Sequence, residues 1–218
     1  MSYDMNDAMA DAYYESLYKE FYETHGPEIA GEAIAGFQHE RLQSYFVAHP
    51  RLVEPALHQI AMARGLLSEG YSDAALVFAA SAVEIGLKQA LFKPVVYGLV
   101  HSEPAADIIA ELSLGHAAID RFKDLLLDIL AGYLRKDLRT YVHAGAAKTL
   151  WEEIKESQDH RNAILHRGER RPPAAAEVAL RSASAVAETL FPALARALGL
   201  HSHGGVHLCN KSACKGQP

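Results

Sequence analysis

Apolar positions recur along most of this chain at spacings of three and four, the signature of amphipathic helices. Over about 6–24 the pattern is aromatic, with Tyr13, Tyr14, Leu17, Tyr18, Phe21 and Tyr22 forming one stripe. A stripe of this kind is expected to serve packing rather than nucleobase stacking. Gly26-Pro27 is expected to break that helix and His49-Pro50 to end a second one at about 28–47. A third helix is expected over 51–68, closed by Glu69-Gly70, and Ser72 or Asp73 is a plausible N-cap for the next. That next helix, beginning A-A-L-V-F-A-A-S-A-V-E-I-G-L-K, is apolar nearly all round, which implies burial on most sides. Beyond Pro94 come a short apolar piece at 95–100 and a helix at 105–112. A further helix is expected at 116–134, carrying Ile119, Phe122, Leu125, Leu126, Ile129 and Leu130. Residues 136–148 read as a turn followed by a weak helix, and an Ala-rich helix at 174–198 carries Pro192 as a kink or split point. β-branched residues are sparse and no strand alternation is convincing, so the expected class is all-α, a helical bundle.

The stretch 151–171, W-E-E-I-K-E-S-Q-D-H-R-N-A-I-L-H-R-G-E-R-R, is the most informative. Trp151, Ile154 and Leu165 are expected on one helical face, with Arg161 on the same face. Gly168 and Pro172-Pro173 should end the helix, leaving His166 in its last turn. Arg161 and His166, five residues apart, diverge by roughly 140° on an ideal helix, whereas Asn162 and His166, four apart, point the same way. One helix cannot easily close Arg161 and His166 on one small atom, which leans towards a homodimer. An unpaired buried guanidinium is costly, and so is an acid inside an apolar helix. Glu84 is such an acid, and of its two available partners, Lys88 and Arg161, the second is favoured.

Composition narrows the class. The chain has 218 residues, half of them apolar, and a net charge of −6, enough for one sizeable core. No run of eighteen apolar residues is present and the N-terminus is acidic rather than signal-like, so a cytoplasmic protein without a membrane partner is expected. Acids dominate 1–50, where Lys19 and Arg41 are the only bases, but Arg161, Arg167, Arg170 and Arg171 face only Glu169. Those last three arginines read equally as an RNA-binding patch or as solvated cations at a helix end. The tail holds His201, His203, His207, Cys209 and Cys214, all metal-ligand types, in a spacing that fits no zinc finger. A flexible tail at 199–218, with no metal and no cofactor, is expected, and a zinc-dependent role stays as a competitor. The organisation is thus an N-terminal helical extension at 1–50, a helical domain at 51–198, and that tail.

The element Arg161-Asn162-Ala163-Ile164-Leu165-His166, R-N-x-x-x-H, resembles the signature of the HEPN superfamily. The earlier helix around Ser81-Ala82-Val83-Glu84-Ile85 resembles that family's acid-bearing core helix. The resemblance covers roughly 51–198, and the segment around 93–109 lengthens the linker between the core helices. It implies a small all-α homodimer with metal-independent endoribonuclease activity of toxin or antiviral-defence type, acting on RNA in a cleft at the dimer interface. Arg161 and His166 would be catalytic, Asn162 supporting, and Glu84 would orient the arginine. An antitoxin or another defence-system protein would be the partner. The residue types suit the chemistry: histidine exchanges a proton near neutral pH and arginine offers a charged fork to phosphate. The alternative is a non-catalytic HEPN-like module that grips RNA, a nucleotide or a protein partner.

Overall fold

The computed structural model describes residues 5–100, 102–114, 119–203 and 207–210. His116, Cys214 and the side chains of Ile119, Phe122, Leu125 and Leu126 lie outside the described residues. The fold is all-α with one small hairpin. Its helices are α1 (Met5–Ala48), α2 (Glu54–Ser68), α3 (Ser72–Ile85), α4 (Lys93–Leu99), α5 (Glu103–Leu114), α6 (Ile119–Leu134), α7 (Leu150–Arg167), α8 (Pro173–Ser184) and α9 (Phe191–Ala197). Strands β1 (His201–His203) and β2 (His207–Cys209) pair antiparallel, with His203 opposite His207.

The chain forms two compact units, Met1–Glu40 and Arg41–Pro218. In the first unit, Gly26-Pro27 does not break the helix, because α1 runs through Pro27. A proline forfeits one backbone hydrogen bond, here to the carbonyl of Glu23, and both residues are exposed, so water can satisfy that oxygen. The expected packing role of the aromatic stripe is not seen: Tyr13, Tyr14, Leu17, Tyr18, Phe21 and Tyr22 are all exposed.

In the second unit α3 is the central element, packed against α2, α7 and α8. Small residues allow this: Ala75, Ala79 and Ala82 of α3 and Ala176, Ala179 and Ala183 of α8 are all buried. The run Ser72–Leu99 is by length and mean hydropathy able to cross a membrane, but 61% of its most apolar window is buried inside the protein. It is a core helix. Phe46, Phe92 and Phe191 fill the main core, with Phe46 edge-on to Phe191 at 5.9 Å between ring centres.

Two helices widen into π turns, at Gly86–Phe92 after α3 and at Ala185–Leu190 after α8. Each widening is followed at once by a proline near the start of the next helix, Pro94 or Pro192. Proline lacks a donor and crowds the preceding turn, and a π turn is one of the ways a helix absorbs that disturbance. The expected kink at Pro192 is therefore a π turn into α9. The two π turns pack together, and a Cβ on Gly86 would lie 2.9 Å from Val186 Cγ1.

Residues 136–148 hold no helix. They form an irregular connection pinned at Leu138, which is buried, and by the Leu150 amide donating to the Tyr141 carbonyl at 2.8 Å. Gly145, at φ +77°, interrupts any helical pattern there. The tail also departs from expectation at His201–His203 and His207–Cys209. The hairpin buries Leu208, whose amide donates to the Pro50 carbonyl at 3.0 Å, so an apolar anchor holds a segment rich in polar residues.

Candidate active site

Helix α7 begins with a capping box. Thr149 accepts from the Glu152 amide at 3.3 Å while Glu152 accepts from the Thr149 amide at 2.9 Å. The Thr149 hydroxyl and amide hold the Glu152 carboxyl below its ordinary pKa of 4.5. Gly168, at φ +64° in the left-handed region, ends the helix where the sequence indicated.

The inward face of α7 keeps Ile154 and Arg161 of the expected stripe but is centred one residue away at both ends. Leu150, Ile154 and Ser157 are buried and Ile164 partly so, at alternating spacings of four and three. Arg161 belongs to this row. Trp151 is only partly buried, packed at the edge of the core, and Leu165 is 52% exposed, so neither centres the core-facing stripe. A step of one residue turns a helix by about 100°, which carries Leu165 off the face and Trp151 to its edge.

Arg161 and Glu84 do approach each other. One guanidinium nitrogen lies 3.5 Å from Glu84 Oε2, and Lys88 Nζ lies 2.6 Å from Glu84 Oε1. Glu84 thus serves both partners that the sequence offered. The carboxylate is 32% exposed and the Arg161 side chain 31%, so this is a rim pair rather than a buried one. Arg161 Nε is buried without an acceptor. Asn162 and His166 are exposed, one turn apart on the outer face of α7.

The expected basic patch is partly spent on itself. Glu169 accepts from both Arg167 and Arg171, the latter at 2.5 Å, and these cations hold the Glu169 carboxyl below its ordinary range. Arg170 is exposed. Asp73, expected as a cap for α3, instead accepts from the Arg171 amide at 2.9 Å and ties the α7–α8 connection to α3. Tyr71 occupies the cap position without a side-chain bond.

The sequence reading missed the most deeply buried charged residue among those described, which lies beside the inward row of α7. Glu153 is 3% exposed, and its Oε2 lies 2.6 Å from His143 Nε2 and accepts from Ser182 Oγ at 3.1 Å. An Arg181 nitrogen stands 3.9 Å from Oε1. Phasing the helix on Leu150 instead of Trp151 would have found Glu153, since a residue three positions on lies within about 60° of Leu150 around the helix.

In the tail, His203 Nε2 lies 2.9 Å from Cys209 Sγ. Among the described residues no three His, Cys, Asp or Glu side chains gather as a metal cluster. Compared with known proteins, the chain matches no family model, no curated protein and no solved structure.

Proposed function

We propose that the protein is a metal-independent endoribonuclease of toxin or antiviral-defence type, working in the cytoplasm as a homodimer. Two copies of the 161–166 segment would face one RNA strand, the geometry in which Arg161 and His166 serve a single phosphate. The observation that carries this reading is the division of labour on α7. Arg161 is oriented by Glu84, while Asn162 and His166 stand exposed side by side at the helix end. The resemblance of R-N-x-x-x-H to the HEPN signature supplies the reaction class.

In this reaction His166 of one copy takes the proton from a 2′-hydroxyl, and the resulting oxygen attacks the adjacent phosphorus. The P–O5′ bond breaks, leaving a 2′,3′-cyclic phosphate. The departing 5′-oxygen takes a proton from the second copy's His166 in its protonated, imidazolium form, which is left neutral. Arg161 meets the charge that builds on the phosphoryl oxygens, and Asn162 holds either the ring or a phosphate oxygen. His166→Ala should abolish RNA cleavage in chelator, and any growth arrest, with stability within about 0.5 kcal/mol of wild type because the side chain is exposed. A purified wild-type dimer that leaves every RNA substrate intact would sink the proposal.

A second reading, a non-catalytic module for RNA, a nucleotide or a protein partner such as an antitoxin, is favoured by one observation. Arg161, Arg167 and Arg171 already hold carboxylates, which lowers their value for a phosphate. Under it, the His166→Ala protein binds and functions as the wild type does.

A further inference from the structure

The reaction above makes no use of the Glu153–His143 pair, which lies at the wall of a separate cavity of about 480 Å³. The cavity opens between α2, the 135–149 connection, α8 and the π turn that follows α8, and a volume of this size is typical of small-molecule sites. His143 lines it, although its side chain is only 6% exposed. A carboxylate can only accept, so Glu153 fixes the hydrogen on Nε2 and leaves Nδ1 of the neutral ring as an acceptor. Nδ1 has no hydrogen-bond partner among the described residues. Among the described residues, the buried side-chain nitrogens and oxygens without partners are the Nε atoms of Arg161, Arg171 and Arg181. Nδ1 therefore reaches the accessible surface, and His143 is a residue of this cavity's wall.

The two arginines of the cavity are in opposite states. Arg64 is consumed, donating to both oxygens of Glu188 at 3.0 and 2.7 Å and to Ser184 Oγ at 3.0 Å. Arg181 is not: its Nε has no acceptor and its nearest acid, Glu153, stands 3.9 Å away, beyond hydrogen-bond reach. Glu177, one turn before Arg181 on α8, is an exposed carboxylate on the same cavity, and Leu67 and Leu180 supply apolar wall.

We propose that this cavity binds a sugar phosphate, either free or as the ribose phosphate of a nucleoside monophosphate. The phosphate lies on the Arg181 guanidinium, whose planar fork suits it. One sugar hydroxyl donates to His143 Nδ1 and another to Glu177, and the carbon skeleton rests on Leu67 and Leu180. The site is independent of the 161–166 segment, so it stands whether or not the protein cuts RNA.

Calorimetric titration of the full chain with ribose 5-phosphate, adenosine monophosphate, inorganic phosphate and ribose tests this. The two phosphorylated sugars should saturate the protein at millimolar concentration or below, and phosphate and ribose alone should bind at least roughly tenfold more weakly. A nucleotide preferred by tenfold over ribose 5-phosphate would assign the site to nucleotides, and equal affinities to sugar phosphates in general. Arg181→Gln, at a partly exposed position, should fold normally and lose about tenfold in affinity. In wild type, nitrogen NMR of the His143 ring should show the Nδ1 resonance moving on saturation while Nε2 stays. No saturation by either sugar phosphate, an unaltered affinity in Arg181→Gln, or a silent Nδ1 would each overturn the proposal.

Discussion

Replacing Glu153 by alanine is the sharpest test of how α7 is held. The carboxylate is 3% exposed and accepts from Ser182 Oγ at 3.1 Å while bonding His143 Nε2 at 2.6 Å. Its removal leaves a buried imidazole N–H without an acceptor, a cost of about 1–3 kcal/mol. The Ser182 hydroxyl, 0% exposed, loses its acceptor as well, and Arg181 loses its nearest carboxylate. Two buried hydrogen bonds to a carboxylate, at about 1.5–3 kcal/mol each, are lost together, and we expect Glu153→Ala to cost about 3–5 kcal/mol. At roughly 2–4 °C per kcal/mol for a chain of this size, the melting temperature should drop by about 6–20 °C. Urea unfolding of Glu153→Ala, His143→Ala and the double variant would then show strong coupling, since one contact is being removed twice. A loss under about 1 kcal/mol with additive single effects would refute the reasoning, because it would mean the carboxylate is already solvated in the native protein.

Other outcomes follow from local features. Thr149→Ala should cost about 1 kcal/mol of stability through the lost cap, measured by chemical unfolding. It should also alter the acid limb: Glu152 titrates lower in the folded protein than its ordinary 4.5, so its contribution is present above that value and is lost as pH falls through the folded pKa. The variant should therefore show a shallower decline of stability below about pH 4.5 than the wild type. Gly86→Ala places a methyl 2.9 Å from Val186 Cγ1 and should destabilise by about 1–3 kcal/mol, the range for overpacking, and Val186→Ala in the same chain should relieve part of it.

Much of the helical layout was legible because apolar spacing, Gly168 and the Pro172-Pro173 pair act locally. The approach of Glu84 to Arg161 was legible for a different reason: each was a charge on an otherwise apolar face, and charges in that setting need partners. The exact phase of α7 was not legible, because Leu150-Trp151 and Ile164-Leu165 are adjacent apolar pairs and spacing alone cannot choose between two rows one residue apart. That choice decided whether Glu153 was seen. Pro27 misled in the opposite direction, since proline is a breaker only where the freed carbonyl cannot be satisfied, and an exposed helix offers water. His143 lay in a stretch without periodicity, and no local rule flags a residue buried by contacts far along the chain.

The paired π turns give the second unit slack in length at two places where the sequence looks like ordinary helix. A π turn holds about one residue more per revolution than an α turn, so it hides an extra residue without turning the segments on either side. Deleting one residue from Gly86–Phe92 would let that turn close back to α geometry and leave Val95 and Val96 facing inward. The same excision in Ala185–Leu190 would keep Phe191 and Leu194 in place. A deletion a turn away on either side has no such slack and would rotate everything beyond it by about 100°. These two intervals should therefore survive the loss of one residue better than the regular helix that flanks them.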